Sequence, residues 1–203
     1  MRTLPAEQLN EWISSAEVLE QDARGPKVLR LASGHLLKIF RTRRRHFIAR
    51  LRPAALRFQL NAVELSARGI IAPKVCDTFW LDRSAAVSGC LYEPVVGQPL
   101  DKLLRNQRAD FDAGLPALAA FIFRLHQQGI YFRSLHLGNI LLTPAYEFAL
   151  IDFLDIRFKH APLGNFLVKR NFRHLHNYLI RSGTANFPWT ELQANYDACH
   201  RQQ

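Results

Sequence analysis

Apolar residues recur along this chain with two different periods, and each change of period marks a change of element. Between Pro5 and Ala16, Leu9, Trp12 and Ile13 fall at helical spacing and predict a short amphipathic helix. Short apolar runs broken by turn residues follow: Val18 to Glu20, a turn at Arg24-Gly25-Pro26, Val28 to Leu31, a turn at Ser33-Gly34, and Leu36 to Phe40. After Pro53 the helical period returns, with Leu56, Leu60, Val63 and Ala67 leading to Gly69 as a natural stop. Two further runs, Lys74 to Leu81 and Ala85 to Tyr92, flank Asp82-Arg83-Ser84 and read as strands.

Residues 94–99 hold two prolines and a glycine and read as a linker. Beyond it the pattern is mainly helical: a short helix near Leu100 to Arg105, then a longer one from about Asp112 to Gln128 with Leu115, Leu118, Ala119, Ile122, Leu125 and His126 on one stripe. A polar loop from Gly129 then leads to a hairpin, Ile140 to Leu142 and Phe148 to Ile151, around Thr143-Pro144 and ending on Asp152. A helix from Phe166 to Ile180, striped by Phe172, Leu175 and Leu179, and a last one from Pro188 to Ala198 complete the chain. The expected class is α+β: five antiparallel strands with one main helix in residues 1–93, a linker at 94–99, and a mainly helical part in 100–203.

No apolar run approaches the ~20 residues of a membrane span, and the first residues are too polar for a signal peptide, so a cytoplasmic location is expected. Cys76, Cys90 and Cys199 are odd in number and widely spaced, which predicts neither a disulfide framework nor a cysteine-pair zinc motif. The net charge of +10 calls for an acidic partner. Arg41, Arg43, Arg44, Arg45, Arg50 and Arg52 supply much of it, interleaved with Phe47, Ile48 and Leu51. Nucleic-acid phosphates, anionic lipid heads and phosphorylated sugars all fit that cluster. Nucleic acid ranks last, because no groove-reading element accompanies the charge.

The hairpin carries the candidate chemistry. Asn139 stands before its first strand and Asp152 after its second, so two oxygen-bearing side chains converge, and hard cations such as Mg²⁺ take oxygen ligands and need only one or two from protein. Lys38 lies within a strand, and alternation puts it on the face opposite Leu37 and Ile39.

Several stretches carry a more particular likeness: Leu37-Lys38-Ile39-Phe40-Arg41, Arg57-Phe58-Gln59-Leu60-Asn61-Ala62, Arg68-Gly69-Ile70-Ile71-Ala72-Pro73, Ser134-Leu135-His136-Leu137-Gly138-Asn139-Ile140 and Ile151-Asp152-Phe153. Together they resemble the small bacterial lipopolysaccharide kinase family, which includes Kdo kinases, inner-core heptose kinases and toluene-tolerance proteins. The resemblance runs over roughly residues 17–182 and implies a small two-lobed protein-kinase-like fold that uses ATP and Mg²⁺. It makes Lys38 the lysine on the nucleotide phosphates, Glu64 its helix partner, Glu93 to Val95 the hinge whose backbone meets adenine, and Asn139 and Asp152 the metal ligands. It also implies an anionic glycolipid acceptor, the lipopolysaccharide inner core, reached peripherally at the inner membrane.

The chain departs from that pattern where a kinase carries its catalytic aspartate. Ser134 stands five residues before Asn139, and Phe132 stands two residues earlier, where the family often has His. A serine hydroxyl is no general base at neutral pH, and such assistance is typically worth ~10²–10⁴-fold. His136, with a suitable intrinsic pKa, and Asp155 are the candidates to make good the loss. The competing expectation is a pseudokinase that binds nucleotide, glycolipid or a protein partner and regulates envelope biosynthesis without transferring phosphate.

Overall fold

The computed structural model describes residues 1–42, 46–184 and 186–201. Its own contacts divide the chain into two compact units, Met1–Val95 and Val96–Gln203.

The first unit contains, in order, β1 (Arg2–Thr3), α1 (Ala6–Ser14), β2 (Glu17–Asp22), β3 (Gly25–Arg30), β4 (Leu36–Phe40), α2 (His46–Leu51), α3 (Ala54–Ala67), β5 (Lys74–Asp82) and β6 (Val87–Glu93). Its sheet runs β1-β5-β6-β4-β3-β2. The five strands expected from the punctuation pair antiparallel, and β1 adds a parallel edge with Arg2 opposite Phe79. Two residues are too few to show a period, which is why the sequence pattern passes over β1. One face of the sheet buries Leu29, Leu37, Ile39 and Phe79 with Leu9 and Trp12 of α1 packed on them. The other meets α3, whose Phe58 lies 5.7 Å from the Phe40 ring and 5.9 Å from that of Tyr92. Lys38 follows the predicted alternation: its Nζ stands 5.5 Å from the Phe58 ring centroid, away from Leu37 and Ile39.

Helix α3 forms where its period predicts but buries a different stripe. Ala55, Phe58, Ala62 and Leu65 face inward, whereas Leu60 and Val63 are 59% and 62% exposed. Both stripes have the same three- and four-residue spacing. The sheet selects the one that offers the large Phe58 ring, with small Ala55 and Ala62 beside it to permit close approach. Of the basic segment, Arg43, Arg44 and Arg45 lie outside the described residues. Arg41 donates to the Pro26 carbonyl at 2.6 Å and Arg50 to that of Ser84 at 2.7 Å, so these two guanidinium groups tie down turns of their own unit.

The second unit contains β7 (Gln98–Pro99), α4 (Leu100–Asn106), α5 (Arg108–Ala113), α6 (Leu115–Gln127), β8 (Ile130–Phe132), β9 (Ile140–Leu142), β10 (Phe148–Leu150), β11 (Ile156–Phe158), α7 (Asn165–Arg181) and α8 (Trp189–Arg201). The long helix expected from Asp112 begins instead at Leu115: Gly114 ends α5, and Pro116 sits in the first turn of α6, where a missing N–H costs nothing. The predicted stripe of α6, from Leu115 to His126, is buried throughout. So are Phe172, Leu175 and Leu179 of α7. Among the described residues no helix is long and apolar enough to cross a membrane.

Candidate functional site

Two small antiparallel ladders set the geometry of the second unit's site. In one, β8 pairs with β11 and Phe132 faces Ile156; in the other, β9 pairs with β10 and Ile140 faces Leu150. The ladder continues one step further through the bond from Ile151 N–H to the Asn139 carbonyl, 3.0 Å. Residues 133–139 and 151–155 are therefore held at both ends by the same two pairings and run beside each other. Register alone brings Ser134, Asn139, Asp152 and Asp155 into one neighbourhood. Asp152 takes the left-handed backbone conformation, φ 51°, which Asp tolerates better than most residues, and it is exposed.

Within this neighbourhood the Ser134 hydroxyl donates to Asp155 Oδ2 at 2.7 Å. The other carboxylate oxygen, Asp155 Oδ1, is buried with no hydrogen-bond partner among the described residues. Asn139 Nδ2 donates to the Ser134 carbonyl at 3.1 Å, which fixes the amide and leaves its oxygen at the other end. The His136 ring stacks on Tyr178, with centroids 4.1 Å apart and planes 10° apart, and its Nδ1 is buried without a hydrogen-bond partner among the described residues. Burial pushes His136 below the usual histidine range, while Asp152, Asp101 and Asp155 pull it back up. Its ring is packed flat against a neighbour. The close approach of Tyr178 depends on Gly138, where a Cβ would lie 3.2 Å from the Tyr178 hydroxyl.

A buried polar chain fastens the loop from beneath. Asn171 Nδ2 donates to the Phe132 carbonyl at 2.6 Å, so its Oδ1 accepts, and His126 Nε2 lies 3.0 Å from that oxygen. Nε2 must carry the proton. His126 Nδ1 is then the acceptor for the Tyr196 hydroxyl 2.7 Å away. This chain links β8, α6, α7 and α8. Desolvation brings the His126 pKa down to about 4, and it raises that of Tyr196. The sequence pattern puts His126 on an apolar stripe without a partner; Asn171 and Tyr196 are too distant in sequence for spacing to pair them. Phe132, fully buried, contributes its carbonyl and no titrating group.

The remaining predicted residues belong to the first unit. Lys38 is half-buried beneath the rings of Phe40 and Phe58. Glu64 Oε1 accepts from both Arg68 Nη2 at 2.6 Å and Nε at 2.8 Å, a contact across the C-terminal end of α3. Glu93 ends β6 and is exposed, with its Oε1 3.1 Å from Lys74 Nζ; the ammonium holds its carboxyl below the usual range. Val95 is half-buried and lies beyond the strand.

The donor chemistry of the second unit fits a hard divalent cation, since Asn139 and Asp152 offer an amide and a carboxylate oxygen. A cavity of about 690 Å³ elsewhere in this unit, lined by Leu103, Phe111, Leu118 and Phe148 among others, includes none of these residues and is mostly apolar.

No family model and no curated protein matches the chain. Among solved structures it is similar to the PK-1 kinase of Cydia pomonella granulovirus, with 14% sequence identity and a TM-score of 0.41 over 78% of this chain and 58% of that one. The chain thus spans less than two thirds of the length of that kinase.

Proposed function

We propose that this protein is a kinase-like phosphotransferase of envelope glycolipid biosynthesis that moves the γ-phosphoryl group of ATP to a sugar hydroxyl of the lipopolysaccharide inner core. The observation that carries the reading is the hydrogen bond from Ser134 to Asp155. The position that lacks its aspartate is bonded to a carboxylate supplied from the neighbouring segment, whose second oxygen has no hydrogen-bond partner among the described residues.

The acceptor hydroxyl donates a hydrogen bond to Ser134 Oγ, whose own proton already points at Asp155 Oδ2. As the acceptor oxygen bonds to phosphorus and the bond to the β–γ bridging oxygen breaks, the acceptor proton passes to Ser134 and the serine proton passes to Asp155. Asn139 and Asp152 would hold Mg²⁺, which neutralises charge on the phosphates when bound. The packed His136 keeps the loop in shape, and Lys38 is the first unit's candidate for a phosphate contact. For the acceptor, support comes from the exposed apolar residues of α2 and α3 beside the arginine segment: Phe47 is 71% and Leu51 68% exposed. Apolar side chains flanked by cations suit an anionic membrane surface at which such a glycolipid resides.

Phosphotransfer from ATP to purified inner-core glycolipid tests the reading in wild type, Asp155→Asn, Ser134→Asp and Asp152→Ala. Asp155→Asn is expected to lose ~10²–10⁴-fold in kcat, and Ser134→Asp to retain transfer when Asp155 is also replaced. Mg-ATP at ~100 times its Kd should stabilise the wild type by ~2.7 kcal/mol, and Asp152→Ala should abolish that gain. Unaltered kcat in Asp155→Asn removes the proton route. Stabilisation by Mg-ATP with no transfer to any acceptor establishes the pseudokinase reading, which Ser134 and Phe132 favour.

A further inference from the structure

At the end of the first unit's sheet, three side chains of different chemistry meet. His35 immediately precedes β4, Glu93 ends β6, and the β4–β6 register, Leu36 opposite Tyr92, places them side by side. On the other flank of β6, Lys74 faces Glu93 and Val75 faces Tyr92, but the next matched pair is Asp77 with Leu91, so Cys76 is an extra, bulged residue. Its Sγ lies 3.8 Å from Glu93 Oε1. One donor atom from each of His35, Cys76 and Glu93 falls within 4.8 Å of the others.

We propose that His35, Cys76 and Glu93 bind one borderline transition-metal dication, Zn²⁺, with a fourth coordination position open to water. An imidazole nitrogen, a thiolate and a carboxylate oxygen are the three ligand types zinc takes, and three protein ligands with one open position is a recurring zinc arrangement. Nitrogen and sulfur donors select against Mg²⁺ and Ca²⁺, which take oxygen. The donors of a tetrahedral site stand about 3.5 Å apart, given Zn–N and Zn–S bonds of about 2.0 and 2.3 Å. Small rotations of these exposed or half-buried side chains bring the present cluster to that spacing.

The surroundings suit the ligands. Ser33 Oγ lies 3.0 Å from His35 Nδ1; when it accepts the Nδ1 proton, the Nε2 lone pair is directed outward for a metal. The bond from Leu31 N–H to the His35 carbonyl, 2.9 Å, anchors the turn that presents the ring. Lys74 is the competing cation, 3.1 Å from Glu93 Oε1, but its side chain is 76% exposed and free to swing into water. Binding releases the Cys76 thiol proton and ties the ends of β4, β5 and β6 together. The inference is independent of the proposed phosphoryl transfer.

The test uses the untagged full chain, stripped with chelator and titrated with Co²⁺ as a spectroscopic stand-in for Zn²⁺. One equivalent should produce a thiolate-to-cobalt charge-transfer band, which Zn²⁺ then bleaches by displacement. Cys76→Ser should remove the band and Cys199→Ser should leave it. His35→Ala and Glu93→Gln should weaken binding by more than the ~10–100-fold typical of losing an outer-shell partner, and Ser33→Ala by about that amount. Lys74→Ala should tighten it, a gain that misfolding would not produce. Absence of the band, its persistence in Cys76→Ser, or unchanged affinity in both His35→Ala and Glu93→Gln overturns the proposal.

Discussion

Acidification should destabilise the second unit through a single buried imidazole. His126 has 2% of its surface exposed, and its ring donates to Asn171 and accepts from Tyr196, an arrangement that requires the neutral form. Its pKa falls from 6.5 to about 4, with desolvation as the main cause; the Asn171 bond opposes the fall and the His200 charge adds to it. The unfolded chain therefore binds a proton near pH 6.5 while the folded chain resists until about pH 4. The imidazole costs no stability above pH 6.5, an increasing amount as pH drops between the two values, and a constant amount below. The full gap of about 2.5 pH units corresponds to roughly 3 kcal/mol, of which about 2 kcal/mol is realised by pH 5.0. Urea unfolding at pH 7.5 and pH 5.0 measures it, followed by tryptophan fluorescence in the transition that reports Trp189, whose ring is 6.0 Å from that of Phe172 in the same cluster. His126→Gln supplies the reference. The variant starts less stable because its hydrogen bonds are altered, but it should lose about 2 kcal/mol less than wild type between the two pH values. Equal losses would show that His126 does not resist protonation, and the assigned direction of the Tyr196–His126–Asn171 chain would be wrong.

Two further outcomes can be checked. Gly129→Ala should destabilise the chain by at least about 2 kcal/mol in denaturant melts, because φ is 69° there and a Cβ would lie 2.6 Å from the Ala161 carbonyl oxygen and 2.7 Å from that of Lys159. A cost below 1 kcal/mol would mean that the 159–161 segment yields easily. In sedimentation with anionic lipid vesicles, Phe47→Glu and Leu51→Glu should each reduce binding roughly tenfold or more, since inserting such a side chain is worth about 1.5–3 kcal/mol. Binding that persists unchanged at moderate salt would remove α2 from the membrane surface.

Much of the architecture is legible in the sequence because it depends on local rules. Period, turn residues and helix stops place β2 to β6, the β9–β10 hairpin and the helices α1, α3, α4, α6, α7 and α8, but they pass over α2, α5 and the three-residue strands β8 and β11 that frame the site. The alternation that puts Lys38 on the Phe58 face needs only the pleat of β4. The Asn139 and Asp152 pair is visible because both stand at the ends of one short hairpin. What the sequence leaves undecided are choices between equivalent local patterns and pairings across long separations. Helix α3 carries two stripes with the same spacing, and only the sheet it packs on selects Phe58 over Leu60. The Ser134 bond to Asp155 spans 21 residues and exists because the β8–β11 and β9–β10 ladders set their segments side by side. His126 finds Asn171 and Tyr196 at separations of 45 and 70 residues, and His35, Cys76 and Glu93 meet only because a bulge in β5 adds one residue to its register with β6. Local sequence determined the longer elements, since backbone sterics and burial act over a few residues, while the two- and three-residue strands exist only through their pairings. The tertiary structure decided which polar groups face one another, since that depends on strand register and on which helix face the core accepts.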